Sequence, residues 1–557
     1  MEQYKTEKKT MAVLVLLFAL MMSVPFLVPH CGWVALLGFV PLLCMDKIAT
    51  DCGMKRVWVW HYTAFVLWNA ATTFWVCNAT VGGGIFAILA NSLQMSLVFG
   101  AFRLSRKVFK GSVPYIFLAA AWIAWERYYL TSAQISWPWL VLGNSFARTL
   151  SLAQWYEYTG TLGGSLWIWA SNLAVFGLMV SLSDGSFFRW NMKARTAAGA
   201  GTIVILIVPA ILSLCIWKSY EESSEPLEVG ILQPNIDPYQ KFQRLTQDQQ
   251  NAILEGQLRQ LLAGRDSSDA SALLVLGPET FTSDVDADEV ASSKTWRRFN
   301  RVLGGYKGVN MILGASSAEF IRSESKPSKT ARPAGDGWWR ESHNSAVIAD
   351  GTGRSQIFHK SKLVVAVEMT PYPGLFCKID DMLGGVMGRC IGQDGISLLD
   401  VKAGGPGNSM AESQTGGKAG EITIPVGCAI CYESIYGEYC TGYVQKGARA
   451  LAVITNDSWW GNTPGYRQHL SYSSLRAVEL RRDIARCGNS GISAFIDQRG
   501  RIIDRGPWWE QAVMTGTINL NDKVTFFAQS GDIVGRLCVL VSILQFLAML
   551  VRLFLKR

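Results

Sequence analysis

Eight apolar stretches constrain this chain more than any other feature of its sequence. A helix of about 20 apolar residues crosses the hydrocarbon core of a bilayer, and most of these stretches approach that length. The second is the shortest and contains Pro41, where we expect a kink. The pattern predicts a polytopic α-helical membrane protein. The stretches lie at about 11–28, 33–45, 57–77, 84–102, 113–130, 161–182, 197–217 and 533–554.

Lysine and arginine residues in the short links set the expected orientation. With eight spans, five basic groups fall on one side, which the positive-inside rule assigns to the cytoplasm. The long polar segment then lies on the opposite side of the membrane. The net charge of +9 is therefore read as topology, and no basic and aromatic groove indicates nucleic acid. The groups are Lys5 to Lys9, Lys47 to Arg56, Arg103 to Lys110, Arg189 to Arg195, and the closing Lys556 and Arg557.

Strand-like and helix-like segments alternate in the polar part of the chain, which is typical of an α/β layered domain. We divide the chain into membrane helices one to seven at 1–217, an α/β domain at 218–530 and a last membrane helix at 531–557. Within the domain, Pro464 to Arg486 reads as one amphipathic helix whose Arg481-Arg482 pair faces solvent. A Gly- and Ser-rich insert at 376–420 is predicted to be a flexible loop.

Three residues in this domain carry the chemistry of covalent acyl transfer. They are Glu279 in LLVLGPET, Lys360 in IFHKSKL and Cys431 in CAICYES. A carboxylate can take the thiol proton, an ammonium can stabilise a tetrahedral oxyanion, and the sulfur can hold the acyl group. Each residue alone would more often be an ordinary strand-end, surface or core residue.

Metal or redox chemistry has weaker support in the cysteine pattern. Cys428 and Cys431 form a Cys-x-x-Cys motif, but no second pair and no nearby histidine completes a metal site. Spacing leaves open whether any of the domain's cysteines, such as Cys377 and Cys390, pair in a disulfide. We expect no metal and no cofactor.

Several further motifs together resemble a known family. The domain resembles the carbon–nitrogen hydrolase (nitrilase) superfamily, whose fold is an αββα sandwich. The whole chain resembles the apolipoprotein N-acyltransferase family, the integral membrane branch of that superfamily. The motifs are QPNIDPYQKF at 233–242, GPET at 277–280, HNS at 343–345, HKSKLVVAVE at 359–368, AICYE at 429–433, NDSWWG at 456–461 and WPWL at 137–140.

The resemblance implies a role for each matching residue. Glu279 would be the general base, Lys360 the oxyanion-stabilising cation and Cys431 the nucleophile. Supporting roles fall to Glu368, Glu433, Tyr432 and Asn344, and substrate contacts to Phe242, Trp459 and Trp460. This chain departs from the family at Lys362, where histidine is usual, and at 365–367, where Val-Ala-Val replaces Pro-Phe-Gly. We therefore expect the loop leading to Glu368 to differ in shape.

The resemblance also implies an activity and a location. The family transfers a fatty acyl group from a phospholipid to the α-amino group of S-diacylglyceryl-cysteine on bacterial lipoproteins, through a thioester acyl-enzyme. The expected place is the bacterial inner membrane, with the α/β domain on the periplasmic side and the protein a monomer. Two alternatives stay open. One is a membrane-tethered amidase that hydrolyses small amides, and the other is a non-catalytic lipid-binding protein of the same fold.

Overall fold

Two compact units make up the chain. A computed structural model describes residues 2–238, 241, 244–382, 387–404 and 421–555. The helical unit comprises Met1–Tyr220, Asn462–Glu479 and Thr525–Arg557, and the α/β unit comprises Glu221–Gly461 and Leu480–Val524. Phe242 lies outside the described residues.

Helices occupy all eight predicted membrane spans. Among the described residues, six are long and apolar enough to cross a membrane: Thr6–Leu27, Gly32–Asp51, Val81–Ser105, Tyr156–Ser183, Met192–Ser219 and Ile533–Leu555. The other two are Val57–Thr73, of only 17 residues, and Val113–Thr131, which carries Glu126 and Arg127. The count of eight, and the orientation built on it, therefore stay predictions. Shorter helical segments lie at Val76–Ala79, Pro138–Leu140, Leu142–Phe146, Leu150–Leu152, Ser186–Arg189 and Phe526–Ser530.

Helical structure in the second span is interrupted two residues before Pro41, and the expected kink itself stays a prediction. Helical structure is interrupted at Phe39, between Ala35–Gly38 and Val40–Asp51, and the proline stands in the first turn of the latter segment. A proline there loses no hydrogen bond, because the first amides of a helix have no intrahelical acceptor. The amide nitrogen of Phe39 instead donates to the side-chain oxygen of Asn172 at 2.7 Å.

Most of the helix Pro464–Leu480 belongs to the helical unit although it lies between two strands in sequence. Gln468 donates through Nε2 to the carbonyl of Thr72 at 3.1 Å, and the hydroxyl of Tyr472 donates to the carbonyl of Trp139 at 2.7 Å. These side chains hydrogen-bond to backbone groups of the first half of the chain.

The predicted extent of this helix was wrong. It ends at Leu480, Arg481 has a φ of 49°, and Ile484–Gly488 is a strand. Arg481 and Arg482 are both buried, so the prediction of a solvated pair was also wrong. The guanidinium of Arg482 donates to the carbonyls of Ala448 at 2.7 Å and Lys523 at 2.7 Å, which satisfies backbone acceptors inside the α/β unit.

Two sheets form the centre of the α/β unit. The first has the order β14-β1-β2-β4-β6-β5, with β3 paired to β4 and β7 to β6, and the second has the order β13-β12-β11-β10-β9-β8. Numbered along the chain, the strands are β1 Glu225–Gln233, β2 Leu273–Leu276, β3 Thr282–Asp286, β4 Val309–Arg322, β5 Arg332–Gly335, β6 Trp338–Ala349, β7 Ser355–His359, β8 Leu398–Gly404, β9 Glu421–Ile430, β10 Ala450–Thr455, β11 Ile484–Gly488, β12 Ala494–Ile496, β13 Ile502–Arg505 and β14 Ala512–Leu520.

Helices in this unit pack their apolar faces against the sheets. Gln247–Leu262 begins with a capping box between Thr246 and Gln249, in which each side chain binds the other residue's backbone nitrogen. Its Leu254 and Leu258 join one buried core with Val275 of β2. The other helical segments of the unit are Val290–Ser292, Lys294–Leu303, Pro373–Met382, Cys431–Ile435, Gly437–Gln445 and Asp457–Trp460.

The insert at 376–420 is only partly the flexible loop that was predicted. Its first residues belong to the helix Pro373–Met382, and residues 398–404 form β8, which pairs antiparallel with β9. Asp380 anchors the segment after the helix by accepting the amide of Met387 at 2.8 Å and the guanidinium of Arg389 at 2.7 Å. The Gly- and Ser-rich residues 405–420 lie outside the described residues.

Candidate active site

The three predicted catalytic residues all stand just beyond the ends of strands. Glu279 follows β2, Lys360 follows β7, and Cys431 follows β9. The amine of Lys360 lies 2.9 Å from Oε1 of Glu279, and both side chains are buried. The thiol of Cys431 interacts electrostatically with both of them. The structure therefore brings together the carboxylate, the ammonium and the thiol that the sequence placed far apart.

Close contact between β4 and the turn after β2 positions Glu279. A side chain on Gly314 of β4 would place its Cβ 2.5 Å from the Cα of Glu279, so only glycine leaves room for the turn. Thr280, the next residue, adopts a φ of 48°, which reverses the chain after the carboxylate. Oε2 of Glu279 accepts the amide of Asn456 at 3.1 Å from the end of β10.

Glu368 and Asn344 complete the surroundings of the lysine. The amine of Lys360 lies 2.9 Å from Oε1 of Glu368, and Nδ2 of Asn344 donates to Glu279 at 2.8 Å and to Glu368 at 2.6 Å. Burial disfavours the ammonium, but the two carboxylates more than offset this, so the pKa of Lys360 is raised well above its ordinary value. Lys360 is therefore a fixed cation at neutral pH.

The loop before Glu368 has an unusual backbone conformation, and its expected difference from the family's loop stays a prediction. Ala366 adopts a φ of 65°, and the amides of Glu368 and Met369 both donate to the carbonyl of Val364, at 2.8 and 3.1 Å. The amide of Val364 in turn donates to Oε2 of Glu368 at 2.7 Å. The loop closes on itself around the carboxylate and holds Glu368 against Lys360.

The thiol of Cys431 is neutral in this environment. Burial, and then the negative charge of Glu279, raise its pKa well above the ordinary value, while Lys360 acts in the opposite direction. A thiol in this state reacts only when a neighbouring group removes its proton as the new bond forms. Glu279 and Asp457 are the carboxylates whose charges raise the pKa of the Cys431 thiol, and the role of Glu279 as the base stays a prediction.

The backbone at Cys431 is held in the left-handed region. Its φ is 52°, and the residue begins the short helix Cys431–Ile435 directly after β9. Non-glycine residues seldom adopt this conformation, and it is often associated with functional sites. Ser434 stabilises the turn by donating through its hydroxyl to the carbonyl of Cys431 at 2.8 Å.

Glu433 joins the cysteine turn to the lysine loop. Its carboxylate accepts the amide of Ile430 at 2.8 Å, the amide of Ser361 at 2.7 Å and the hydroxyl of Tyr439 at 2.8 Å. Burial raises the pKa of Glu433, and these hydrogen bonds act in the opposite direction. One side chain thus binds the residues next to both Cys431 and Lys360.

Sequence reasoning missed a buried ion pair beside the nucleophile. Asp457 and Arg486 lie 2.6 Å apart with almost no exposure, and Asp457 also accepts the hydroxyl of Thr455 at 2.8 Å. Thr455 and Asp457 both affect the pKa of the Cys431 thiol. The NDSWWG motif held the relevant signal, but Arg486 had been assigned to a helix end.

Lys241 is a second residue that received no role from the sequence. Its amine donates to the carbonyl of Thr280, directly after the predicted base. Burial lowers the pKa of Lys241 to about 8, and Glu279 acts in the opposite direction. Lys241 therefore supports the turn that carries Glu279 and adds positive potential near it.

The aromatic residues assigned to the substrate are placed less specifically. Trp459 and Trp460 end the segment Asp457–Trp460 and are half-buried. Tyr432 is buried, with its ring 5.2 Å from that of Tyr436 in an edge-on contact. The substrate roles of Trp459 and Trp460 and the supporting role of Tyr432 stay predictions.

Two protein families match parts of this chain. Residues 228–525, more than half of the chain, match the Carbon-nitrogen hydrolase family, and the chain belongs to this family. Residues 18–174 match the Apolipoprotein N-acyltransferase N-terminal domain. Together with the apolar helices, this match identifies a multi-pass membrane protein.

Relatives match across both units. An "Apolipoprotein N-acyltransferase" of Chlorobaculum tepidum is 26% identical over 91% of this chain and 89% of its own length. Another of that name, from Geobacter metallireducens, is 26% identical over 95% of this chain and 93% of its own length. Among solved structures, Nit3 of Saccharomyces cerevisiae is similar at 14% identity, with 54% of this chain and 92% of that chain covered and a TM-score of 0.34.

Proposed function

We propose that this protein is an apolipoprotein N-acyltransferase. It transfers a fatty acyl group from a phospholipid to the N-terminal α-amino group of S-diacylglyceryl-cysteine on a lipoprotein. The observation that carries the proposal is the buried ion pair of Glu279 and Lys360 beside a neutral Cys431 thiol. This arrangement can perform acyl transfer without a metal or a cofactor.

The first half-reaction forms a thioester. Glu279 takes the proton of Cys431 as the sulfur attacks the ester carbonyl of the phospholipid. The ammonium of Lys360 stabilises the oxyanion of the tetrahedral intermediate. The intermediate collapses, the ester C–O bond breaks, and Glu279 returns the proton to the leaving alkoxide. The products are a lysophospholipid and an acyl-enzyme.

The second half-reaction uses the same groups on the lipoprotein. Its free amine attacks the thioester, Glu279 accepts a proton from the nitrogen, and Lys360 again stabilises the oxyanion. The C–S bond breaks, Cys431 recovers a proton from Glu279, and the product is an amide. The lysophospholipid is released before the lipoprotein reacts, so the kinetics are ping-pong.

The similarity of the helical unit to the relatives favours this function over hydrolysis of small amides. The curated relatives cover this chain through its helical part as well as the α/β unit, and the N-terminal family match falls entirely within the helical unit. A small-amide hydrolase has no need for several apolar spans, whereas two lipid substrates require access from a bilayer. We further propose the inner membrane as the location, with the 218–530 domain on the periplasmic side and a monomeric protein.

The deciding experiment is intact-protein mass spectrometry after incubation with phospholipid in detergent micelles. We expect a fatty-acyl mass increment that hydroxylamine removes and that a diacylglyceryl lipopeptide discharges. Cys431→Ala should lose the increment, while Cys390→Ala, the matched control, should keep it. A folded wild-type protein that never acquires the increment would overturn the proposal.

A further inference from the structure

A basic cleft lies between two helices of the α/β unit. The helices Gln247–Leu262 and Lys294–Leu303 border it, and it encloses about 830 Å³. Six basic side chains and a single carboxylate line it. These are Arg259, Arg265, Lys294, Arg297, Arg298 and Arg301, with Glu255.

The helix Lys294–Leu303 separates its residues sharply by polarity. Lys294, Arg297, Arg298 and Arg301 stand at spacings of three and four, which puts them on one face. Trp296, Phe299 and Leu303 are buried on the other side of the same helix. Like charges at these spacings repel each other and destabilise a helix, whereas an ordinary solvated face mixes the two signs.

Carboxylates of the protein neutralise this face only in part. Glu255 is shared between Arg259, at 2.7 Å, and Arg298, at 2.5 Å. Within the part of the chain that the structure describes, no carboxylate lies within ion-pair distance of Lys294, Arg297 or Arg301. These three exposed cations therefore line the cleft without a carboxylate partner among the described residues.

A largely buried arginine, Arg265, lines the cleft. The side chain of Arg265 is only 9% exposed and is held by Glu228 at 2.8 Å and by the carbonyl of Ser271 at 2.8 Å. Its Nε has no hydrogen-bond partner among the described residues. Glu228 and Ser271 therefore fix the Arg265 guanidinium in the wall of the cleft.

We propose that this cleft binds a ligand with two or more phosphate groups. Guanidinium groups match phosphate oxygens in a bidentate geometry, and arginine outnumbers lysine five to one among the basic lining residues. The volume lies in the range of small-molecule sites and exceeds the needs of a single phosphate. The cleft shares no residue with the site of Glu279, Lys360 and Cys431, so this inference does not rest on the proposed function.

Calorimetric titration of the full-length protein in a nonionic detergent tests the proposal, with inorganic tripolyphosphate as the probe. We expect saturable binding that weakens as salt is added, because charge pairs are screened. The variant Arg297→Gln/Arg301→Gln should bind at least tenfold more weakly. Both residues are exposed, so the variant should fold, and its thermal midpoint verifies this.

The control variant is Arg322→Gln/Lys326→Gln, which removes the same charge from exposed positions outside the cleft. It should bind tripolyphosphate within twofold of the wild type. Equal loss in the two double variants would show unspecific attraction to a basic protein and overturn the proposal. Absence of saturable binding by the wild type, or unchanged binding by the cleft variant, would overturn it as well.

Competition separates the two sources of such a ligand. Dihexanoyl phosphatidylglycerol phosphate carries two phosphates on a short lipid, and glycerol bisphosphate offers similar groups without acyl chains. Stronger displacement of tripolyphosphate by the lipid indicates a membrane headgroup, and equal displacement indicates a soluble ligand. Failure of both to displace the probe would overturn the proposed chemistry.

Discussion

The strand-end site and the basic cleft differ in whether their cations are paired with carboxylates of the protein. Lys360 is buried, and its amine lies 2.9 Å from each of two carboxylates. Arg297 and Arg301 are exposed and have no carboxylate partner among the described residues. At the strand ends, Glu279 and Glu368 balance the charge of Lys360, and the charges of Glu279 and Lys360 affect the pKa of the Cys431 thiol. At the cleft, the positive charge is available to bind a ligand.

The largest expected effect comes from removing the cation at the strand ends. Lys360→Met should lower kcat by about 10²–10³-fold, the range found when an oxyanion donor is lost. The variant also removes the ion-pair partner of the buried Glu279 and of the partly exposed Glu368, which costs about 3–5 kcal/mol of stability. Steady-state acyl transfer and thermal unfolding of the detergent-solubilised protein measure the two effects.

Lys362→Met is the matched control for this change. Lys362 lies over the rings of Tyr436 and Tyr439, at 5.4 and 5.7 Å. Its loss should affect kcat far less than the loss of Lys360. Equal effects of the two variants would contradict the assignment of Lys360 as the oxyanion-stabilising cation.

Glu433→Gln should have the next largest effect, by loosening two loops at once. An amide presents only one oxygen, so either the amide of Ile430 or that of Ser361 would face an NH₂ group. Leaving a buried donor unpaired costs about 1–3 kcal/mol. We expect a lower thermal midpoint and slower acylation, measured by single-turnover formation of the thioester.

Tyr439→Phe serves as the graded comparison for Glu433. It removes one of the hydrogen bonds to the carboxylate and leaves both backbone amides satisfied. Its effects on the thermal midpoint and the acylation rate should be smaller in both measurements. An acylation rate in Glu433→Gln equal to that of the wild type would argue against a positioning role.

The protonation state of Cys431 can be tested by the pH dependence of its alkylation. A free thiol has a pKa of about 8.5, and its alkylation accelerates as the pH rises through that value. Because the pKa of Cys431 is raised, its alkylation by iodoacetamide should show no inflection there, in contrast to glutathione under the same conditions. Peptide-resolved mass spectrometry gives the rate at this residue.

Glu279→Gln should move that titration to lower pH. The charge of Glu279 raises the pKa of the thiol, whereas Lys360 lowers it, so removing the carboxylate charge leaves the cation to stabilise the thiolate. The variant should therefore be alkylated faster at neutral pH while losing acyl transfer. Slower alkylation at every pH would show that Glu279 does not set the charge state of the thiol.

Glu279 and Cys431 could be predicted from sequence because each follows a short run of buried apolar residues. The hairpin of β6 and β7 was also predictable, since a Gly-containing turn separates two alternating segments, and it places Lys360. The sequence could not show which backbone amides Glu433 would accept, because Ser361 lies 72 residues away. Such pairings depend on how the sheets pack.

Buried arginines explain the largest errors at the end of the helix Pro464–Leu480. A charged pair after an amphipathic pattern usually continues the solvated face, and this is how Arg481 and Arg482 were interpreted. In the structure, the carbonyls that accept from Arg482 belong to Ala448 and Lys523, which are distant in sequence. Local pattern carries no information about these acceptors.

The smallest expected effect has the opposite sign to the first. Lys294 begins its helix, where the partial positive charge of the N-terminus disfavours a cation, and Arg297 and Arg298 repel it at spacings of three and four. Lys294→Gln should therefore stabilise the protein by about 0.3–1 kcal/mol at low ionic strength. High salt should abolish the gain, because exposed charges are screened. Thermal unfolding at two salt concentrations measures it, with Lys326→Gln as the control. If cations at the cleft raised stability as Lys360 does at the strand ends, Lys294→Gln would lower the midpoint, and the contrast between self-neutralised and outward-directed charge would fail.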